Sequence, residues 1–98
     1  MIRHVAVFRW AEGVTAEQVA EVSAALDAMP GQVPEIRSYT HGPNVQPAPG
    51  RWDYAVVADF DDLAGWRAYD EDPEHARVRS DVIIPITAER TNLQLDLG

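Results

Sequence analysis

The first strand of the chain constrains the fold most, because its alternating pattern is apolar on both faces. One face carries Ile2, His4, Ala6, Phe8 and Trp10, and the other carries Arg3, Val5, Val7 and Arg9. A strand with two apolar faces is usually covered on both sides. In a small protein, we therefore expect helices over one face of this strand and another sheet over the other.

The rest of the chain predicts an alternation of helices and strands. Thr15 and Gln18 have the spacing of a capping box, which starts a helix that ends at the Met-Pro-Gly of residues 29–31. Strands are predicted over residues 36–41, 52–60 and 87–97, and helices over residues 63–69 and 73–82. This order, βαββαβ, is that of the ferredoxin-like α+β fold, a four-stranded antiparallel sheet with its helices on one face.

Such a sheet leaves its second face without cover. The residues available to line that face are Val5, Val7, Val57, Leu93 and Leu95. An exposed apolar face of this size favours association. We therefore expect a homodimer in which two copies pack sheet to sheet around a two-fold axis.

Composition excludes several classes of function. The 98 residues form one domain, 1–98, and a net charge of −8 with a pI near 4.6 argues against binding nucleic acid or anionic membranes. There is no cysteine, and all eight basic residues are arginine, which is typical of a high-GC bacterial gene. No apolar run approaches the roughly 20 residues of a membrane span, and the N-terminus lacks a signal-peptide pattern. We expect a cytoplasmic protein.

The segment from Tyr69 to His75 contains the main candidate site residues. Asp72 before Pro73 is typical of a helix N-cap followed by proline at the first helical position, which makes His75 the third helical residue. The helix dipole disfavours the cationic form of His75, whereas Glu71 and Glu74 favour it, and the sequence leaves the balance open. A neutral histidine there is a candidate base; the alternative is a partly exposed first-turn residue.

The other two histidines are weaker candidates. His4 points from the first strand toward a covered layer, where a lone histidine is usually a satisfied core residue. His41 ends the second predicted strand, and we expect it to be exposed in a loop. The three histidines lack the spacing of metal ligands, so no metal site is predicted.

Several short motifs together resemble one family over nearly the whole chain. They are the opening strand of residues 2–10, Pro34-Glu35-Ile36, Gly42-Pro43-Asn44, the strand ending Ala58-Asp59-Phe60-Asp61, and Ala68-Tyr69 followed by Asp72-Pro73-Glu74-His75. In order and spacing they are similar to the stress-responsive A/B barrel (Dabb) family. The resemblance implies a dimeric α+β barrel with a cavity between the sheet and the helices of each subunit.

The resemblance also implies a reaction. One plant member of the family closes a linear polyketide by an intramolecular aldol condensation, with a tyrosine, a helix histidine and a first-strand histidine that match Tyr69, His75 and His4. By this resemblance, His75 abstracts an α-proton, Tyr69 binds the developing oxyanion and His4 orients or polarises the substrate, with no cofactor. The family segment often has a histidine where this chain has Asp72.

Three interpretations remain open at this point. The first is a cofactor-free enzyme acting on a small polyketide-like or aromatic molecule, such as a cyclase or a monooxygenase of the same barrel type. The second is a non-catalytic protein that binds a small hydrophobic or aromatic ligand, or protects against stress. The third is a purely structural homodimer, which a pocket filled by Phe8, Trp10 and Trp66 would favour.

Overall fold

The secondary structure has the predicted βαββαβ order. The computed structural model describes residues 1–98. Its strands are β1 (Ile2–Trp10), β2 (Ser38–Pro43), β3 (Tyr54–Phe60) and β4 (Thr87–Asp96). Its helices are α1 (Ala16–Asp27), α2 (Met29–Gln32), α3 (Leu63–Glu71) and α4 (Pro73–Val78), and α4 continues into a π-helical turn (Arg79–Ile83) and a 3-10 turn (Ile84–Ile86).

The four strands form one antiparallel sheet in the order β2-β3-β1-β4. The first strand therefore lies in the interior of the sheet and is hydrogen-bonded on both sides. In its register, His4 lies opposite Ala58 of β3 and Gln94 of β4. The ferredoxin-like α+β prediction is confirmed, with all helices on one face.

Some element bounds differ from the prediction. The second strand starts at Ser38 rather than at residue 36 and runs on to Pro43, which an edge strand tolerates because its outer N–H groups need no partner. The third strand starts at Tyr54 rather than at residue 52. The single helix predicted over residues 73–82 is divided, because the chain widens into the π-turn after Val78.

Side-chain caps fix where the helices begin. The capping box of α1 is present, with the Gln18 N–H donating to Thr15 Oγ1 at 3.2 Å and the Thr15 N–H donating to Gln18 Oε1 at 2.8 Å. Asp72 caps α4 by accepting the backbone N–H of His75 at 2.9 Å. Each cap satisfies a donor that has no intrahelical partner, so the predicted start of the His75 helix is confirmed.

The hydrophobic core lies between the sheet and the helices, in two clusters. The larger one packs α1, α2 and the turns after α4 on the sheet, through Ala6, Phe8, Val22, Leu26, Met29, Tyr54, Val56, Val78 and Ile83. The smaller one packs α3 against the other end of β3, through Val33, Ala58, Phe60 and Tyr69. No helix is both long enough and apolar enough to cross a membrane.

The opposite face of the sheet is apolar and has no cover within the chain. Leu93 and Leu95 of β4 are 52% and 48% exposed, and Val5, Val7 and Val57 beside them are only half-buried. The helix-facing residues of the same strand are polar: Arg90, Asn92 and Gln94. The edge strand β4 thus has its apolar side turned away from the helices, as expected if a partner covers the outer face.

One polar cluster ties three strands together on the outer face. The Asp59 carboxylate accepts two hydrogen bonds from the Arg3 guanidinium, at 2.8 and 2.9 Å, and one from the Ser38 hydroxyl at 2.8 Å. The Arg3 hydrogen bonds hold the pKa of Asp59 below its ordinary value. The cluster joins β1, β2 and β3 through one nearly buried carboxylate.

We expect Asp59→Asn to lower the free energy of unfolding by about 1–2 kcal/mol at neutral pH, because a charged acceptor is lost. Since folding lowers the pKa of Asp59, its contribution is complete above the unfolded-state pKa of about 3.9 and disappears as the pH falls through the folded-state pKa. Urea unfolding at pH 7 and below pH 4 measures both effects. Asp61→Asn, which removes an exposed partner of Arg37, is the matched control and should have a smaller effect; equal losses would contradict the prediction.

Candidate functional site

A cavity of about 380 Å³ lies on the helix side of the sheet, between β1, β4, the end of α3, and α4 with its π-turn. Its walls combine apolar and polar side chains. They are His4, Ala6, Phe8, Leu26, Val56, Tyr69, Asp70, His75, Arg79, Ile83, Arg90, Thr91 and Asn92. The volume lies in the lower part of the range typical of small-molecule sites.

The three predicted site residues meet at one end of this cavity. The rings of Tyr69 and His75 stack with centroids 4.0 Å apart, and the ring of His4 lies 5.8 Å from that of Tyr69. The close stacking follows from the junction of α3 and α4, where the Asp72 cap turns His75 back over the end of α3. All three residues are buried apart from the surface that they present to the cavity. Their catalytic roles stay a prediction.

The hydrogen bonds of His4 define its tautomer. Its Nδ1 accepts from Trp66 Nε1 at 3.2 Å and from Gln94 Nε2 at 3.0 Å. Because an indole N–H can only donate, Nδ1 carries no hydrogen and the neutral ring has its hydrogen on Nε2. Burial, followed by the nearby His75, lowers the pKa of His4 to about 4. His4 is therefore a neutral donor whose Nε2–H has no partner in the protein.

His75 is also biased toward its neutral form. Burial lowers its pKa, the Arg79 guanidinium lowers it further, and the Asp70 carboxylate with the backbone carbonyls of Asp70 and Tyr69 opposes the shift. Arg79 Nη2 lies 3.4 Å from His75 Nδ1, which is long for a hydrogen bond. The charge balance that the sequence left open is thus decided by burial and Arg79 rather than by Glu71 and Glu74.

Tyr69 shares a hydrogen bond with a second buried phenol. Its hydroxyl lies 2.8 Å from that of Tyr39 on β2. Burial raises the pKa of Tyr69 to about 12, and it raises the pKa of Tyr39 further, so both phenols are protonated at neutral pH. When Tyr39 donates to Tyr69, the Tyr69 O–H is free to donate into the cavity. Tyr39 thus supports Tyr69 from outside the cavity.

The structure corrects the expectation for His41. It lies inside β2 rather than in a loop, and its side chain is only 7% exposed. Its Nε2 contacts Asp27 Oδ1 at 2.7 Å and its Nδ1 contacts the Tyr54 hydroxyl at 2.7 Å. The expectation failed because β2 continues to Pro43, which places His41 under the end of α1. It lies outside the cavity and joins α1 to the sheet.

Polar residues of the cavity that the sequence analysis missed come from β4 and the π-turn. Arg90 and Asn92 share a strand face with Gln94 and line the cavity. The alternation of polar and apolar residues along this strand could have identified them from the sequence. Arg79 gave no such signal, because a regular helix over residues 73–82 does not predict the π-turn. Turns of this kind are frequent at functional sites.

The aromatic residues leave the cavity open. Phe8 forms part of its wall, whereas Trp66 lies behind His4 and Trp10 stacks on Phe8 with ring centroids 5.9 Å apart. The filled pocket that would have favoured a purely structural protein is therefore not present. No three histidine, aspartate or glutamate side chains are grouped so that they could hold a metal ion.

Comparison with known proteins adds the family. The model of the stress-responsive A/B barrel domain matches residues 2–95. The chain belongs to this family. None of the curated proteins compared with this A/B barrel chain matches it.

Solved structures share the fold of this A/B barrel chain. A dimeric ferredoxin-like protein of unknown function from Thermobifida fusca is 42% identical, with a TM-score of 0.88 over 98% of this chain and 90% of that one. A dimeric protein of unknown function from Bacteroides fragilis is 24% identical, with a TM-score of 0.79 over 97% and 94%. The hydroxynitrile lyase of Passiflora edulis is 15% identical, with a TM-score of 0.86 over 99% and 93%.

The tautomer and pKa of His4 are directly measurable. We expect nitrogen NMR of the histidine rings to show His4 neutral with its hydrogen on Nε2, titrating near pH 4, well below the ordinary value of 6.5. Because folding lowers this pKa, the stability that it contributes is complete above pH 6.5 and falls as the pH drops from 6.5 to 4. In the Trp66→Phe variant, the preference of the His4 ring for the tautomer with its hydrogen on Nε2 should weaken, because Nδ1 loses a donor. Titration of His4 near pH 6.5 in the unchanged chain would contradict the prediction.

Proposed function

We propose that this A/B barrel protein is a cofactor-free acid–base enzyme that closes a ring in a small polyketide-like molecule by aldol chemistry. The observation that supports the proposal is the convergence of His4, Tyr69 and His75 on one open cavity, with both histidines favoured in the neutral form. A base and two neutral donors within one small cavity are the groups that enolate chemistry needs.

The proposed first step is proton removal by His75. In this step neutral His75 has its hydrogen on Nδ1, because the 3.4 Å contact from Arg79 Nη2 is too long to fix the other tautomer. The unprotonated Nε2 accepts the α-proton of a carbon between two carbonyl groups. The C–H electron pair moves into the enolate. Such a carbon is already acidic, so a histidine is a sufficient base even though burial lowers its pKa, and no cofactor is needed.

The proposed second step forms the ring. The enolate carbon attacks a second carbonyl of the same molecule, one C–C bond forms, and the new alkoxide takes the proton back from the imidazolium of His75. Tyr69 O–H and His4 Nε2–H donate hydrogen bonds to the oxygen on which negative charge develops. Because both donors are held in place before the reaction, they stabilise this charge without rearranging.

The comparisons agree with this proposal only in a general way. A hydroxynitrile lyase has the same fold, so the fold accommodates an enzyme, and at 15% identity nothing about its substrate transfers to this chain. The assignment of this reaction therefore depends on the geometry of the three residues. Non-catalytic ligand binding in the same cavity is the alternative that the experiment below separates.

The test uses two linear tri-β-keto acyl thioesters as probes, one with an apolar chain end and one with a carboxylate at that end. We expect the protein to accelerate formation of the cyclised product over buffer, measured by liquid chromatography with mass detection. His75→Gln should reduce the rate by a factor of about 100 or more, because the base is removed. Tyr69→Phe should lower kcat with a smaller effect on KM, because its hydrogen bond strengthens as charge develops.

His41→Gln is the matched control, since His41 lies outside the cavity and glutamine can retain polar contacts with Asp27 and Tyr54. It should keep the wild-type rate, with folding of each variant verified by circular dichroism. No acceleration by the wild-type protein, or an unchanged rate in His75→Gln, would overturn the cyclase proposal.

We also propose that the protein is a homodimer formed through the outer face of the sheet. Leu93 and Leu95 are half-exposed beside the half-buried valines of the same face, and the helix side of β4 is polar. The T. fusca relative, 42% identical, is described as dimeric. A second copy covering this face would complete the α+β barrel.

Light scattering should give about twice the chain mass of 10.9 kDa at micromolar concentration. We expect Leu93→Asp to shift the protein toward monomer, because it places a charge in the apolar interface. Leu63→Asp is the matched control, since Leu63 is similarly exposed, at 44%, but begins α3 on the other side of the sheet. A monomeric wild-type protein would rule out this dimer.

A further inference from the structure

The cavity is positively charged within a strongly acidic protein. Its walls contain two arginines, Arg79 and Arg90, and a single carboxylate, that of Asp70, while both histidines are favoured as neutral. The chain as a whole has a net charge of −8. The cavity wall thus has one more basic than acidic side chain although the chain as a whole is acidic, and a concave site concentrates the field of such groups.

Arg79 is already engaged by the protein. Its Nη2 donates to the backbone carbonyl of Asp70 at 2.8 Å, and its Nη1 lies 3.5 Å from the Asp70 carboxylate. The only carboxylate of the cavity is therefore balanced by Arg79. The positive charge left over in the cavity is that of Arg90.

The Arg90 guanidinium makes no hydrogen bond and no ion pair within the chain, although the protein has twice as many acidic as basic residues. Its sequence neighbour Glu89 points to the other face of the strand and pairs with Arg9 at 2.6 Å. Within the cavity, Arg90 lies on β4 opposite Phe8. A guanidinium at the rim of a concave site, without an acidic partner, is suited to bind a carboxylate with two parallel hydrogen bonds.

The register places Arg90 away from the reactive groups. Gln94, which holds His4, lies four residues farther along β4 on the same face, roughly 13 Å in an extended strand. Between these two ends Asn92 is the polar residue of this strand face, and the rest of the cavity wall is mainly apolar, formed by Ala6, Leu26, Val56 and Ile83. The cavity thus has a cationic end, a mainly apolar middle with one amide, and an acid–base end.

We infer that the substrate of this cavity is a small organic acid whose carboxylate binds Arg90 while its apolar or aromatic body lies between β1 and the π-turn. This inference rests on the proposed function, because it names the substrate class of the same site. The carboxylate orients the molecule so that its opposite end, with the reacting carbonyl groups, reaches His4, Tyr69 and His75.

Binding without turnover tests this inference. Phenylpropanoate and its neutral counterpart phenylpropanamide are titrated into the full chain, and their dissociation constants are measured from the NMR signals of cavity residues. We expect the acid to bind roughly tenfold to a hundredfold more tightly than the amide, and its dissociation constant to rise with added salt.

The matched pair of variants is Arg90→Gln and Arg67→Gln. Each removes one exposed arginine charge, and Arg67 lies on α3 outside the cavity. Arg90→Gln should abolish the preference for the acid, whereas Arg67→Gln should keep it. Equal affinities of the two probes in the wild-type protein, or equal losses in the two variants, would overturn the inference. Tighter binding of phenyl phosphate than of phenylpropanoate would also overturn it.

Turnover separates the two proposals. If the acid is preferred while no cyclisation occurs with the wild-type protein, the cyclase proposal fails and the carboxylate site stands. If cyclisation occurs and the acid is not preferred, the cyclase proposal stands and the carboxylate site fails.

Discussion

The structure depends on the position of β1, which is hydrogen-bonded to β3 on one side and to β4 on the other. Because side chains alternate across a strand, this arrangement separates the residues of β1 into two layers. His4, Ala6 and Phe8 face the helices, and Val5 with Val7 faces away from them. The helix layer provides the core and the cavity, and the other layer provides the apolar outer face. A shift of one residue in register would exchange the two layers and remove His4 from the site.

The cavity exists because the helices do not cover the sheet evenly. The larger core cluster packs the sheet near Phe8 and Tyr54, and the smaller one packs it near Ala58 and Phe60. Beside β4, the helix-facing residues are polar and line the cavity instead of packing under a helix. The same burial that forms the core also removes water from His4 and His75 and thereby disfavours their cations. Packing and the protonation states of the site therefore have one physical cause.

Local patterns predicted the elements of this fold, and also the N-caps that position the site. Thr15 with Gln18, and Asp72 with Pro73, mark helix starts through contacts over three or four residues, which any structure containing those helices would keep. The expectation for His41 was wrong because its surroundings depend on how far β2 pairs with β3, and strand pairing is a long-range property. The π-turn that directs Arg79 into the cavity was missed for a similar reason, since it forms where α4 meets the turn before β4.

The sequence by itself determined the element order and the two apolar faces of β1, because alternation and capping are local properties, and its resemblance to the A/B barrel family named His4, Tyr69 and His75 as the candidate site. Only the tertiary structure decided that the cavity is open, that Trp66 and Gln94 fix the tautomer of His4, and that Arg90 is left without a partner. Each of these depends on side chains far apart in sequence, and their distances are set by strand register and helix packing. The residue types of the candidate site can therefore be read from the sequence, whereas their distances and contacts are set by the fold.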